Sequence, residues 1–224
     1  MNPTTDRAKS APPNLPNEAS REPQQGRSKA SYERMLAAAE KLMVKRGSED
    51  FTLTEVSKTG KVSIGSIYLR FDSKDDLISA VHARVIVRIE HEQDLMLEEL
   101  AALDTLDVYV GRFIERYAEV LRVFAPILRP IMFRAINDTA ISRTGQASAE
   151  RLIGQVRQQM LRFSGEFGRP DGIRMIDNAF RIIYYTLARH LGLGSSPEAA
   201  NEGNWSELKE DLAIMTVAFL RAKG

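Results

Sequence analysis

The chain has 224 residues, a formal net charge of +1, hydrophobic residues at 43% and charged residues at 27%, which is the composition of an ordinary globular protein. Every long apolar stretch is broken by Arg, Glu or Asp, so none approaches the roughly 20 residues of a membrane span, and the N-terminus lacks the basic-then-apolar pattern of a secretion signal. With no cysteine, disulfides, thiolate metal sites and thiol nucleophiles are excluded, and the cytoplasm is the expected compartment.

Residues 1–28 are expected to be a disordered tail. Five of the nine prolines fall in the first 27 residues, and Leu15 is the only large aliphatic side chain there after Met1. Such a segment buries too little surface to offset its ordering entropy. From Ser31 the spacing of Tyr32, Met35, Leu36, Ala39, Leu42 and Met43 predicts a first helix that stops near Gly47. Thr52 with Glu55 forms a capping box, which starts a second helix over about 53–59. Gly60 and Lys61 break it, Ser63 is an N-cap, and a third helix is predicted over Ile64 to Phe71. Ser73 with Asp76 caps a fourth helix from Lys74. Beyond it, helices are predicted over 74–99, 104–124, 126–138, 145–166, 171–191 and 205–222, with Pro126, Pro130 and the glycine-rich stretches as interruptions. No segment alternates with period two, so the fold class is all-α: a three-helix N-terminal domain over 29–76 and a helical domain over 77–224.

The second and third helices, joined by a three-residue turn, have the form of a helix-turn-helix, whose second helix lies in the DNA major groove. The third helix begins Ser63, Ile64, Gly65, Ser66, mostly small residues where a core helix would carry large ones. Small groups allow close approach to DNA, and free amides at a helix start favour phosphate. Ser63 serves equally as a cap or as a phosphate contact. Ser66, Tyr68 and Lys74 are expected to hold phosphate; Ile64 and Gly65 form the base-reading edge, Arg70 reaches guanine or phosphate, and Thr54 reaches DNA from the second helix. Charge gives weak support: residues 27–77 hold ten Lys/Arg against eight Asp/Glu. Arg27 and Lys29 could form a minor-groove arm or be merely solvated, whereas Arg21 is read as solvated.

The segment Ser31 to Leu77 resembles the DNA-binding domain of the tetracycline-repressor (TetR) family. The resemblance rests on Thr52, Val62, Ser63, Ile64, Gly65, Ser66, Ile67, Tyr68, Phe71, Ser73 and Lys74, all at the family's spacing. It makes Thr52, Thr54, Ser63, Ile64, Gly65, Ser66, Tyr68, Arg70 and Lys74 the expected DNA-binding residues. Two positions depart from the family pattern. Gly60-Lys61 stands where Ala-Gly is usual, so either Lys61 adopts a positive φ or Gly60 does; Arg70 stands where Tyr or His is common.

The resemblance further implies a homodimeric, ligand-responsive transcriptional regulator, most simply a repressor on a palindromic operator, with a small-molecule effector bound in the C-terminal domain. An activator without effector is the alternative, and a helical enzyme or carrier a remote one. The apolar stripes of the last two helices, Ile176, Phe180, Ile183 and Leu187 with Leu208, Leu212, Met215 and Phe219, are then assigned to the dimer interface. Tyr109, Phe113, Tyr117, Met132, Phe133, Met160 and Phe163 are the expected walls of a pocket for a largely apolar effector. His82, His91 and His190 lack metal-ligand spacing, and no cofactor motif or catalytic constellation is present in the sequence.

Overall fold

The computed structural model describes residues 21–193 and 200–223. Among the described residues eight α-helices follow one another: α1 Arg21–Arg46, α2 Leu53–Gly60, α3 Ile64–Tyr68, α4 Lys74–Ala101, α5 Leu106–Ala135, α6 Thr139–Met160, α7 Gly172–His190 and α8 Trp205–Arg221. A 3-10 segment, Leu161–Glu166, continues α6. There is no strand among the described residues, as the absence of period-two patterning requires.

Four boundaries differ from the expectations, the first being the third helix, which ends at Tyr68 and not Phe71 because the Arg70 amide closes a turn on the Ile67 carbonyl at 2.9 Å. The helix expected from Ser31 starts at Arg21, so the expected tail is shortened, and residues 1–20 lie outside the described residues. Pro23 does not prevent this, because it sits in the first turn, where a missing amide costs no hydrogen bond. The predicted helices 104–124 and 126–138 are one helix, α5, which passes through Pro126 and Pro130. Pro126 is exposed, so the carbonyl it leaves unpaired can bond water. Burial of Val120, Leu121, Phe124, Ala125, Ile127 and Ile131 offsets a kink cost of about 3 kcal/mol. Finally, α6 begins at Thr139 instead of 145, because the Asp138 carboxylate accepts the Ala140 and Ile141 amides at 3.1 and 3.2 Å.

Two apolar cores share α4 and α5. The first gathers Met35, Leu36, Ala39 and Met43 of α1 with Val56, Val62, Ile67 and Phe71 of the hairpin and Leu77, Val81 and Val85 of α4. It also takes in Val120, Phe124, Ile127 and Ile131 of α5, so the hairpin stands on the C-terminal helices without a core boundary at residue 76. The second core contains Met96 and Leu100 of α4, most of α5, and α6 to α8. Between α1 and α4, Glu40 is held by Arg84 and, at 2.7 Å, by Arg88. Burial alone would raise the Glu40 carboxyl; the two arginines outweigh it and hold the group below its ordinary value.

Candidate functional site

Hydrogen bonds within a few residues of sequence set the geometry of the hairpin. The Thr52 hydroxyl accepts the Glu55 amide at 3.2 Å and donates to the Glu55 carboxylate at 3.1 Å, while that carboxylate accepts the Thr52 amide at 2.9 Å. Arg46 completes the cap at 2.6 Å and, with the Thr52 amide, lowers the Glu55 carboxyl to about 2. The Thr52 hydroxyl is thus occupied as a cap, whereas Thr54 is exposed.

The turn resolves the Gly60-Lys61 alternative. Lys61 takes the left-handed conformation, φ 50 and ψ 48, and its amide bonds back to the end of α2. Gly60 remains helical and buried against α1: a Cβ there would lie 2.9 Å from the Arg34 carbonyl oxygen and 3.2 Å from the Ala38 Cβ. Close helix approach therefore requires glycine at 60, and the lysine bears the strained backbone. Ser57 Oγ donates to the Val62 carbonyl at 2.6 Å, and Ser63 Oγ accepts the Ser66 amide at 3.1 Å. The Ser63 and Ser66 hydroxyls also share a 2.7 Å hydrogen bond, so Ser63 is a cap whose outer side stays exposed.

α3 is five residues long, with Ile67 buried beneath it. On its outer side Ile64 is 39% exposed, Tyr68 59% and Leu69 85%. A Cβ added to Gly65 would meet nothing within 4 Å, so the fold places no demand for glycine there. Leu69 was not among the expected DNA-facing residues. Its sequence signal is a large apolar residue at a position that the inward pair Ile67 and Phe71 does not use. Arg70 is committed elsewhere: it donates to the Ser66 carbonyl at 3.2 Å, and to the Ser28 carbonyl and hydroxyl at 3.3 and 2.8 Å, bracing α3 on α1. Lys74 is half-buried, with its ammonium 4.9 Å from the centre of the Phe51 ring. Lys29 is exposed, and the Arg21 and Arg27 side chains lie outside the described ones.

A cavity of about 330 Å³ lies among α4, α5, α6 and α7. Of the seven expected pocket residues, Tyr117 and Met132 line it. Tyr109, Phe113, Met160 and Phe163 belong to the core instead, because the rings pack on one another, Phe113 to Tyr117 at 5.5 Å and Tyr109 to Phe163 at 5.5 Å. The Tyr109 hydroxyl is satisfied by Gln159 Oε1 at 3.2 Å. Phe133 points away, 75% exposed in a surface groove beside Arg134. The lining residues missed in the sequence are mostly aliphatic, among them Ile86, Ile89 and Leu128, with a minority of polar groups that includes the buried His82, Gln93 and Ser148. His82 and Gln93 share the buried stripe of α4 with Val81, Val85, Ile89 and Met96, and that interruption of an apolar stripe was the available signal.

Arg134, at the end of α5, joins the hairpin to the helices around the cavity. Its guanidinium binds Glu49 between α1 and α2 at 2.9 Å, Asp75 beside Lys74 at 3.1 Å, and Asp138 at the cap of α6 at 3.1 Å. Burial disfavours this cation, and the surrounding carboxylates, Glu49 first, more than restore it, so its pKa is raised.

The residues expected at a dimer interface divide. Ile176, Phe180, Ile183, Leu187 and Leu212 are buried within the chain itself, so they offer no partner surface. Leu208 and Phe219 are half-buried, and Met215 is exposed. The outward apolar residues of α7 are Ile173, Ile182 and Tyr185, and those of α8 are Ile214 and Met215. Helical periodicity identifies apolar residues on both helices but does not say which of them the chain itself covers.

Residues 35–81 match the family described as bacterial regulatory proteins, tetR family. No curated protein matches the sequence. Among solved structures, a protein of Mesorhizobium loti MAFF303099 assigned to the TetR family of transcriptional regulators is similar at TM-score 0.71 and 16% identity, covering 87% of this chain and 96% of that one. The fatty acid degradation regulator FadR of Bacillus halodurans follows at TM-score 0.66 and 11% identity, with coverage of 86% and 97%. Salmonella enterica GusR has TM-score 0.60 and 19% identity, with coverage of 86% and 96%. At these identities the three likenesses establish the fold.

Proposed function

We propose that this chain, whose residues 35–81 match the tetR family of bacterial regulatory proteins, is a regulator of that kind that binds operator DNA as a homodimer and is released when a small molecule fills the cavity among α4 to α7. It acts as a repressor. The observation that carries the DNA reading is the outer side of α3, where Ile64, Tyr68 and Leu69 face solvent beside a glycine that the fold does not need. Ile64 and Gly65 read bases; Tyr68, Lys74, Ser66, Ser63 and Thr54 hold phosphate. Thr52 and Arg70 serve the same surface indirectly, the first by capping α2 and the second by fixing α3 on α1.

Dimerisation uses the outward faces of α7 and α8, where Ile182, Tyr185, Ile214 and Met215 would otherwise remain in water. A two-fold dimer sets two recognition helices about 34–36 Å apart, or a multiple of that, on a palindromic site. Coupling runs along two routes. α4 carries Lys74 at one end and lines the cavity with His82, Ile86, Ile89 and Gln93 further on. α6 lines the cavity with Ile141 to Leu152 and is tied through Asp138 and Arg134 to Glu49 and Asp75 of the hairpin region. A ligand that shifts either helix changes the spacing of the two α3 helices.

The test is binding to a duplex selected from a randomised library, read by fluorescence anisotropy at moderate salt. Tyr68→Ala and Lys74→Ala are each expected to weaken binding by about 1–2 kcal/mol on every sequence, while Ile64→Ala changes the preferred bases more than the affinity. Wild-type affinity in both Tyr68→Ala and Lys74→Ala overturns the assignment.

A further inference from the structure

The cavity among α4 to α7 holds polar atoms of a particular kind. Its described lining includes no Asp, Glu, Lys or Arg; apolar side chains dominate, with Ser142, Gln146, Ser148 and Tyr184 at intervals. Its one titratable base, His82, is disfavoured as a cation by burial, against a weaker opposing pull from Asp138, so the imidazole is neutral near neutral pH. Gln93 stands apart from these. It is 6% exposed, it lines the cavity, and its Oε1 is buried with no hydrogen-bond partner. A buried amide oxygen is expensive to leave unpaired, and such a group in a folded protein calls for a partner that is absent from the chain itself.

We infer that this cavity takes an uncharged, predominantly apolar molecule carrying a hydroxyl or amide group that hydrogen-bonds the side-chain amide of Gln93. The inference rests on the reading of the chain as ligand-responsive and names the class of effector. The volume, about 330 Å³, is at the lower end of the roughly 300–1,000 Å³ of small-molecule sites. An ionised ligand is rejected because no lining group compensates its charge once it leaves water. A hydroxyl is accepted because it can donate to Oε1 and can equally accept from the amide nitrogen, whichever way the Gln93 amide is turned.

The experiment measures binding of decane, 1-decanol, decanoate and decylammonium to the full chain without DNA, by displacement of an environment-sensitive dye at about pH 8, where the acid and the amine are both charged. 1-Decanol is expected to bind at least about tenfold more tightly than either charged homologue. Gln93→Leu and Gln93→Met, both of similar volume, are expected to lose about tenfold of decanol affinity while keeping decane affinity. Two variants are used so that one poorly folded protein does not decide the outcome, and each is checked by thermal unfolding. Decanoate or decylammonium binding as tightly as decanol, unchanged decanol affinity in the folded Gln93 variants, or no probe binding at all overturns the inference. Because no DNA is present, these outcomes are independent of the operator assay, and a failure of DNA recognition leaves them unaffected.

Discussion

The hairpin from Thr52 to Lys74 and the pair α7 and α8 both turn apolar side chains to solvent, and they are built in opposite ways. In the hairpin, caps at Thr52, Ser63 and Ser73 fix each helix start from within three residues, and a few inward groups such as Ile67 and Phe71 anchor the outward ones. In α7 and α8 little is local. Ile176, Ile183 and Leu187 are taken by the core of the chain, and the residue of apolar surface, Ile182, Tyr185, Ile214 and Met215, is left outside. Exposure in the first region follows from short-range hydrogen bonding, and in the second from which stripe the rest of the chain happens to cover.

The sharpest way to break that comparison is to substitute one residue from each stripe. Ile183→Ala removes a buried side chain and is expected to cost about 2–5 kcal/mol in urea unfolding. Ile214→Lys, at an exposed position, should leave the fold of the protomer within about 0.5 kcal/mol yet shift sedimentation towards monomer. Equal association of wild type and Ile214→Lys would remove the outward stripe from the interface.

Within the hairpin the two glycines make a similar pair. Gly60→Ala forces α2 away from the Arg34 carbonyl and is expected to cost about 1–3 kcal/mol of stability. Gly65→Ala meets no neighbour, so it should gain up to about 1 kcal/mol of stability while weakening operator binding. Loss of stability at 65, or unchanged DNA affinity, would mean that glycine is not there to admit DNA.

A smaller effect is expected at Lys61, whose positive φ favours glycine: Lys61→Gly should raise stability by about 0.5–1 kcal/mol in the same unfolding assay. The smallest concerns the cap of α2. Glu55 titrates at about 2 in the folded chain against an ordinary 4.5, so its contribution is full above pH 4.5 and fades as pH falls towards 2. The melting-temperature gap between wild type and Glu55→Gln should therefore be widest at neutral pH and close in acid. A gap that is the same at both ends would place the effect of Glu55 in something other than its charge.

Much of the hairpin was legible because its signals are local. Thr52 with Glu55 and Ser73 with Asp76 form the expected capping boxes, and Ser63 caps α3. The misreadings have physical causes. Pro126 and Pro130 looked like helix ends because propensity was weighed without the burial around Phe124 and Ile127, which carries α5 through both prolines. The bracing of Arg70 on α1 was not legible because nothing in the sequence places Ser28, 42 residues away, within 2.8 Å of its guanidinium. Tyr109, Phe113 and Phe163 looked like pocket walls because composition cannot distinguish a ring stacked on rings from a ring beside a void.

The sequence by itself determined the all-helical class, the hairpin and the identity of the outward residues Ile64, Gly65 and Tyr68, since caps and helical periodicity act over three or four residues. Tertiary structure alone decided that Gly60 is held by α1 while Lys61 makes the turn, that Arg134 ties Glu49, Asp75 and Asp138 together, and that Gln93 lies unpaired beside a cavity. Those features depend on side chains distant in the chain meeting at a few ångströms, and no local pattern encodes that distance.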